Sequence, residues 1–196
     1  MFELPTSIFI EGTAYPIRNR GDFRMVLDCF EALNDSELDI DNRVLTGLII
    51  FYDGMRDAED VITTFGINLE QAIIKMYDFF NCGQPNAPGA VMKHKLVDWE
   101  QDAQLIAGAV NAVAGKEIRA EAYLHWWTFM GYYLNIGESA FSTIVGIRNK
   151  IKTGKKLENH EKEFKRDNPQ YFVWDSQTTE DSQMDDYLRS LWNNGG

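Results

Sequence analysis

The sequence predicts a mainly α fold, in which a helical domain carries a small N-terminal β-hairpin and ends in a flexible acidic C-terminal tail. Three observations support this. Apolar residues recur at helical spacing through most of the chain, capping residues and glycines punctuate those runs, and only Ile8 to Tyr15 reads as paired strands. The 196 residues, 44% hydrophobic and 13% aromatic, suffice for one principal core. Composition places the helical domain at residues 1–166 and the polar acidic tail at 167–196.

Ile8-Phe9-Ile10 and Thr13-Ala14-Tyr15 flank Glu11-Gly12, where glycine supplies the positive φ of a tight turn. Pro16 is expected to end the pairing, and so small a hairpin should pack on helices. Asp22 suits the N-cap of a helix bearing Phe23, Val26, Leu27, Phe30 and Leu33, after which Asn34-Asp35-Ser36 is turn-like. Asp41 is expected to cap a second helix with Val44, Leu45, Leu48, Ile49 and Tyr52 on one face. Arg56 to Thr63 adds a short helix before Gly66. Asn68 with Gln71 resembles a capping box opening a fourth helix through Ile73, Met76, Tyr77 and Phe80, which Gly83 closes.

Pro85 and Pro88 make Gln84 to Gly89 the expected long loop, which halves the chain. Beyond it, Asp98 with Gln101 can cap a helix that carries Leu105, Ile106, Ala109 and Val113 and stops at Gly115. A further helix is expected from about Arg119 to Gly137, and another from Ser139 through Ile144, Ile147 and Ile151 to Gly154. Leu157 to Arg166 reads as a solvated helix or fraying extension, cut off by Pro169. In the tail, Met184, Leu188, Leu191 and Trp192 can line one side of a short amphipathic helix, either a docking peptide or a strap on its own core.

The formal net charge of −11 argues against general nucleic-acid binding, because phosphate contacts need clustered Lys and Arg. The charge is uneven. Arg148 to Arg166 holds eight basic residues, and Asp175 to Asp186 follows with five acidic ones. No apolar run approaches the roughly 20 residues of a membrane helix, and the first ten residues lack a signal-peptide pattern, so a cytoplasmic protein is expected. Cys29 and Cys82, far apart and in no CxxC pair, are expected to be small buried apolar side chains.

Catalysis finds few candidates. His94, His125 and His160 are the only histidines, none in an HExxH or HxH pattern, and neither a nucleophile elbow nor a Gly-rich phosphate loop is present. His125, between Leu124 and Trp126, reads as a core or interface histidine. Asp98 and Asp102 stand four apart on an expected helix and read as an N-cap and a solvated charge in preference to metal ligands. No catalytic residue, metal site or cofactor is expected.

The most unusual segment is Tyr123 to Tyr133, which holds two adjacent tryptophans, a phenylalanine and three tyrosines. A helix spreads these rings around its circumference, so it is either a central core helix or a ridge offering one aromatic face to a partner. Trp126 and Trp127 cannot share a face, and Gly131 and Gly137 would allow close helix approach. The candidate partner-binding residues are Trp126, Trp127, Phe129, Tyr132 and Tyr133, with Met184, Leu188 and Trp192 in the tail.

Leu124-His125-Trp126-Trp127-Thr128-Phe129, taken with Asp22-Phe23-Arg24, Phe79-Phe80-Asn81-Cys82-Gly83, Asp98-Trp99-Glu100-Gln101-Asp102 and Ile147-Arg148, resembles the bacteriophage gp-fifteen family of siphophages infecting Gram-positive bacteria. The resemblance spans about Leu4 to Lys152. It implies a gene between those of the tail tube and the tape measure, and hence a non-catalytic tail assembly chaperone. Such a protein would bind the tape-measure protein in the host cytoplasm, with self-association open, and be absent from the mature virion. Neither nucleic acid nor membrane is expected as a partner. The rival readings are a structural tail or connector protein retained in the virion, a host-directed inhibitor, and an enzyme.

Overall fold

A computed structural model describes residues 3–84, 96–173, 184 and 186–191. The elements run β1 (Ser7–Ile10), β2 (Thr13–Pro16), α1 (Phe23–Asn34), α2 (Ile40–Phe51), α3 (Ala58–Phe65), α4 (Leu69–Phe80), α5 (Ala103–Ala114), α6 (Trp126–Leu134), α7 (Ala140–Lys152) and α8 (Asn159–Asp167). A tight turn with left-handed Asn19 and Arg20 occupies Arg18–Gly21, and 3-10 turns occupy Gly66–Asn68, Ile118–Ala120 and Pro169–Tyr171. This is the mainly helical fold with a small N-terminal hairpin that the apolar spacing predicts. The chain divides into two compact units, one of residues 1–91, 123–130 and 178–196, the other of residues 92–122 and 131–177. The boundary drawn in the sequence at residue 166 falls inside the second unit. Most of the loop expected at 84–89 lies outside the described residues.

In the first unit, Glu11 (φ 47°) and Gly12 (φ 80°) both adopt the positive φ of a two-residue hairpin turn. Ile8 and Ile10 face the core while Phe9, on the opposite face, is 67% exposed. Pro16 is the last residue of β2, where the sequence places the end of the pairing. It stands opposite Ser7 at the strand end, where its missing N–H costs nothing, and its carbonyl accepts from Asp53 N at 2.9 Å. α1 packs on α2, and Val26, Cys29, Leu48, Phe51 and Tyr52 are fully buried between elements of this unit. The buried Tyr52 hydroxyl donates to Ala72 O at 3.0 Å, so its burial leaves no polar atom stranded. The Arg18 guanidinium bonds the carbonyls of Ile49, Ile50, Tyr52 and Met55, satisfying the open end of α2.

Several helix starts differ from expectation; α5, for one, begins only at Ala103, so Asp98 accepts from Glu100 N and Gln101 N in the turn before it and does not cap the helix. α2 is capped by Asp39, whose carboxylate accepts from Asn42 N at 2.9 Å, because a cap must reach the third helical N–H; Asp41 sits in the first turn instead. α4 is entered directly from the Gly66–Asn68 turn, so Asn68 is already near-helical and makes no capping bond. Near the C-terminus, residues 186–191 are helical, with Leu188 1% and Leu191 6% exposed. Of the expected stripe, Leu188 and Leu191 are covered and Met184 is half-buried.

In the second unit, α5 packs on α7 through Ile106, Val110, Ile144 and Ile147. Ser139 and Ser142 form a capping box at the start of α7, and Gly154 (φ 67°) closes its end, with Lys155 N bonding back to Lys150 O at 2.8 Å. The helix expected from Arg119 is shorter: Ile118–Ala120 is a 3-10 turn, and α6 begins only at Trp126. Gly131 and Gly137 do not mediate close approach; a Cβ at either would meet open space.

Asp102 corrects the expectation of a solvated charge. It is 0% exposed and grips Arg148, 2% exposed, through paired bonds of 2.6 and 3.0 Å. Arg148 also donates to Leu96 O and Tyr171 O, so the guanidinium ties three chain segments together. Desolvating two charges opposes this pair, but removing one partner leaves the other buried and unmatched. Arg148→Met should therefore cost about 3–5 kcal/mol in urea unfolding, and adding Asp102→Leu to it should recover part of that loss.

Candidate functional site

The aromatic segment is held by an unusual helix start. Trp127 N donates to Nδ1 of His125 at 3.0 Å, which leaves Nε2 to donate to Pro5 O at 3.0 Å. A ring nitrogen that accepts carries no proton, so His125 is neutral with its proton on Nε2. Burial lowers its pKa from the ordinary value, against smaller opposing effects of the Pro5 bond and Asp22.

The next two side chains reach the end of α4. Trp126 Nε1 donates to Phe80 O at 2.8 Å and Trp127 Nε1 to Phe79 O at 2.9 Å. Carbonyls in a last helical turn lack their regular intrahelical donors; here the Trp126 indole bonds Phe80 O, and the Trp127 indole joins Cys82 N, 3.0 Å away, on Phe79 O. The chain reverses at α4 through Cys82 (φ 56°) and Gly83 (φ 75°), with Gly83 N bonding Asp78 O at 2.8 Å. A Cβ on Gly83 would sit 3.0 Å from the Trp127 ring, and one on Gly21 only 2.7 Å from Phe79. These are the close approaches that glycine permits.

Asp22 joins this cluster to α1. Its Oδ1 caps the helix by accepting from Arg24 N at 3.0 Å, and its Oδ2 accepts from Leu124 N at 2.8 Å. Phe23 N donates to Leu124 O at 2.9 Å, and Tyr123 donates its hydroxyl to Arg20 O. This pairing holds residues 122–125 out of helix and explains the late start of α6. Phe23 stacks on Phe129 at 4.8 Å, and Phe129 on Trp126 at 5.4 Å.

The candidate residues therefore separate. Trp126 (1% exposed), Phe129 (2%) and Leu188 (1%) are interior. Trp127, Tyr132, Tyr133 and Met184 are half-buried. Tyr133 belongs to the second unit, against Trp99 at 5.2 Å and Phe141 at 5.8 Å. Trp192 lies outside the described residues. Large apolar side chains stand in water elsewhere: Phe9, Ile62 (53% exposed) and fully exposed Ile67 in the first unit, and Leu134 (72%) in the second. Ile67, between Gly66 and Asn68 and outside any helical period, could have been noticed in the sequence. Among the described residues no His, Cys, Asp and Glu group is arranged to hold a metal, and no helix is long and apolar enough to cross a membrane.

Three of the sequence words quoted above thus meet at one aromatic node, and the other two at the Asp102–Arg148 pair. The family profile described as Bacteriophage Gp15 protein matches residues 1–172. The chain belongs to the Bacteriophage Gp15 protein family. No curated protein and no solved structure matches it significantly.

For this Gp15 family member the node predicts graded effects. Trp126→Ala should cost about 3–5 kcal/mol in denaturant unfolding, as large aromatic truncations do. Trp127→Phe, which keeps a ring and removes one N–H, should cost about 1–3 kcal/mol.

His125 adds a pH dependence. Its folded pKa is depressed, so on acidification the unfolded chain takes up the proton first. Its contribution is intact above the unfolded value of about 6.5 and is lost as pH falls below it, by at most about 1.4 kcal/mol per pH unit. Melting between about pH 7.5 and about pH 5.5 should show this fall, and His125→Gln should flatten it.

Proposed function

We propose that the protein is a non-catalytic tail assembly chaperone, which binds the tape-measure protein in the host cytoplasm during tail morphogenesis and is absent from the finished virion. Family membership over residues 1–172 carries this reading. Physical support comes from the first unit, which leaves Phe9, Ile62 and Ile67 in water on a strongly acidic chain. Exposed apolar side chains can cover apolar stripes of a client helix, and high net charge keeps such a complex dispersed. Trp126 and Phe129 serve by holding the frame. Half-buried Trp127, in the same unit, can add to the contact. Neither metal nor cofactor takes part.

Coexpression with the tape-measure protein of the same phage should capture the complex, and mass spectrometry of purified virions should not find this chain. Replacing Phe9, Ile62 and Ile67 with Thr should abolish capture while changing stability by no more than about 0.5 kcal/mol per site, since exposed positions carry little folding energy. No capture together with presence in virions would instead support a structural tail or connector protein.

A further inference from the structure

The two units differ sharply in charge. The first holds nineteen Asp and Glu against seven Lys and Arg, a formal −12, whereas the second holds eleven against twelve, a formal +1. The positive charge of the second unit gathers at the end of α7 and on α8. Lys155, Lys156, Lys162 and Lys165 are exposed and, among the described residues, join no ion pair. Cations in a last helical turn answer the helix dipole, which accounts for Lys150, Lys152, Lys165 and Arg166. It does not account for Lys155 and Lys156, in the loop, or for Lys162, inside α8.

The complementary surface is on the first unit. Five acidic residues fall within residues 31–41, around the α1–α2 turn, and Glu31, Glu37, Asp39 and Asp41 are exposed. The negative field is felt locally: after burial, Asp41 and Glu70 are what raise the Tyr187 phenol above its ordinary pKa.

We propose that the basic α7–α8 surface of one copy docks on the acidic α1–α2 turn of a second copy. The contact joins two different surfaces, so it builds either a two-fold dimer in which the contact is made reciprocally or head-to-tail rings and open chains. Nucleic acid is a poorer complement. Glu158, Glu161 and Glu163 interrupt the lysines and break up the run of cations that phosphate contacts need. The contact needs no tape-measure protein, so its failure and that of the chaperone reading are distinguishable.

Sedimentation velocity on the full chain should find assemblies at about 0.01 M salt that dissolve at about 1 M, where charges are felt over about 30 Å and about 3 Å respectively. Association through apolar patches would respond in the opposite sense. The variant carrying Lys155→Glu, Lys156→Glu and Lys162→Glu should associate roughly tenfold more weakly, as should the variant carrying Glu31→Lys and Glu37→Lys. Mixing the two should restore assembly, because each reversed surface then meets its complement; two misfolded proteins would not do this. A monomer at both salt concentrations, or no restoration on mixing, overturns the proposal. So does a monomeric wild type that retains a fluorescent single-stranded oligonucleotide through the same lysines.

Discussion

The paired indole caps on the end of α4 are the constraint around which the first unit is arranged. Trp126 and Trp127 are adjacent, so their rings diverge, yet both N–H groups reach carbonyls of one helical turn, Phe80 O and Phe79 O. That is possible only if α4 stops there and the incoming backbone lies close against it. Cys82 and Gly83 in the left-handed region provide the stop, and the bare Cα atoms of Gly21 and Gly83 provide the closeness. His125 then performs two tasks with one neutral ring, starting α6 from Nδ1 and holding Pro5 through Nε2. Protonation cannot be accommodated without breaking the first of these bonds.

The second unit solves a related problem with charge. Asp102 and Arg148 are buried together and every polar atom of the pair is engaged, partly by the backbone of Leu96 and Tyr171. Such a pair contributes little net stability compared with a well-packed apolar substitute, but it holds the segments of Leu96, Asp102 and Tyr171 on one guanidinium, and removing either charge strands the other. Indoles in one unit and an ion pair in the other thus serve the same end, giving buried backbone carbonyls the donors that regular helices cannot supply.

The helices were legible because apolar spacing and caps are local signals: Asp22, Ser139, Gly115 and Gly154 act at the ends where the sequence places them. What was not legible is non-local. Arg148 reads in sequence as one of eight neighbouring cations and Asp102 as a solvated carboxylate; only folding makes them partners. Residues 119–125 have helical composition, but Asp22 and Phe23, a hundred residues away, claim the backbone of Leu124. In sequence the aromatic helix is equally a core helix or a ridge, and its residues divide: Trp126 and Phe129 are interior while Trp127 and Tyr132 keep partial exposure.

This division bears on what family resemblance can say about function. The words that identify the chain, from Asp22-Phe23-Arg24 to Ile147-Arg148, are largely residues that cap helices, stack rings or close a buried ion pair. They report the frame. A client-binding surface would instead be drawn from side chains the frame leaves outside, such as Phe9, Ile62 and Ile67, which contribute little to folding and are free to suit a particular partner. The interior part of the aromatic motif, Trp126 and Phe129, therefore reports the fold, while Trp127 keeps a partly exposed ring. The same separation leaves charge free to vary unit by unit, −12 against +1, without disturbing either core. Surface charge sets association and solubility while the buried caps set structure, so the two can be altered independently.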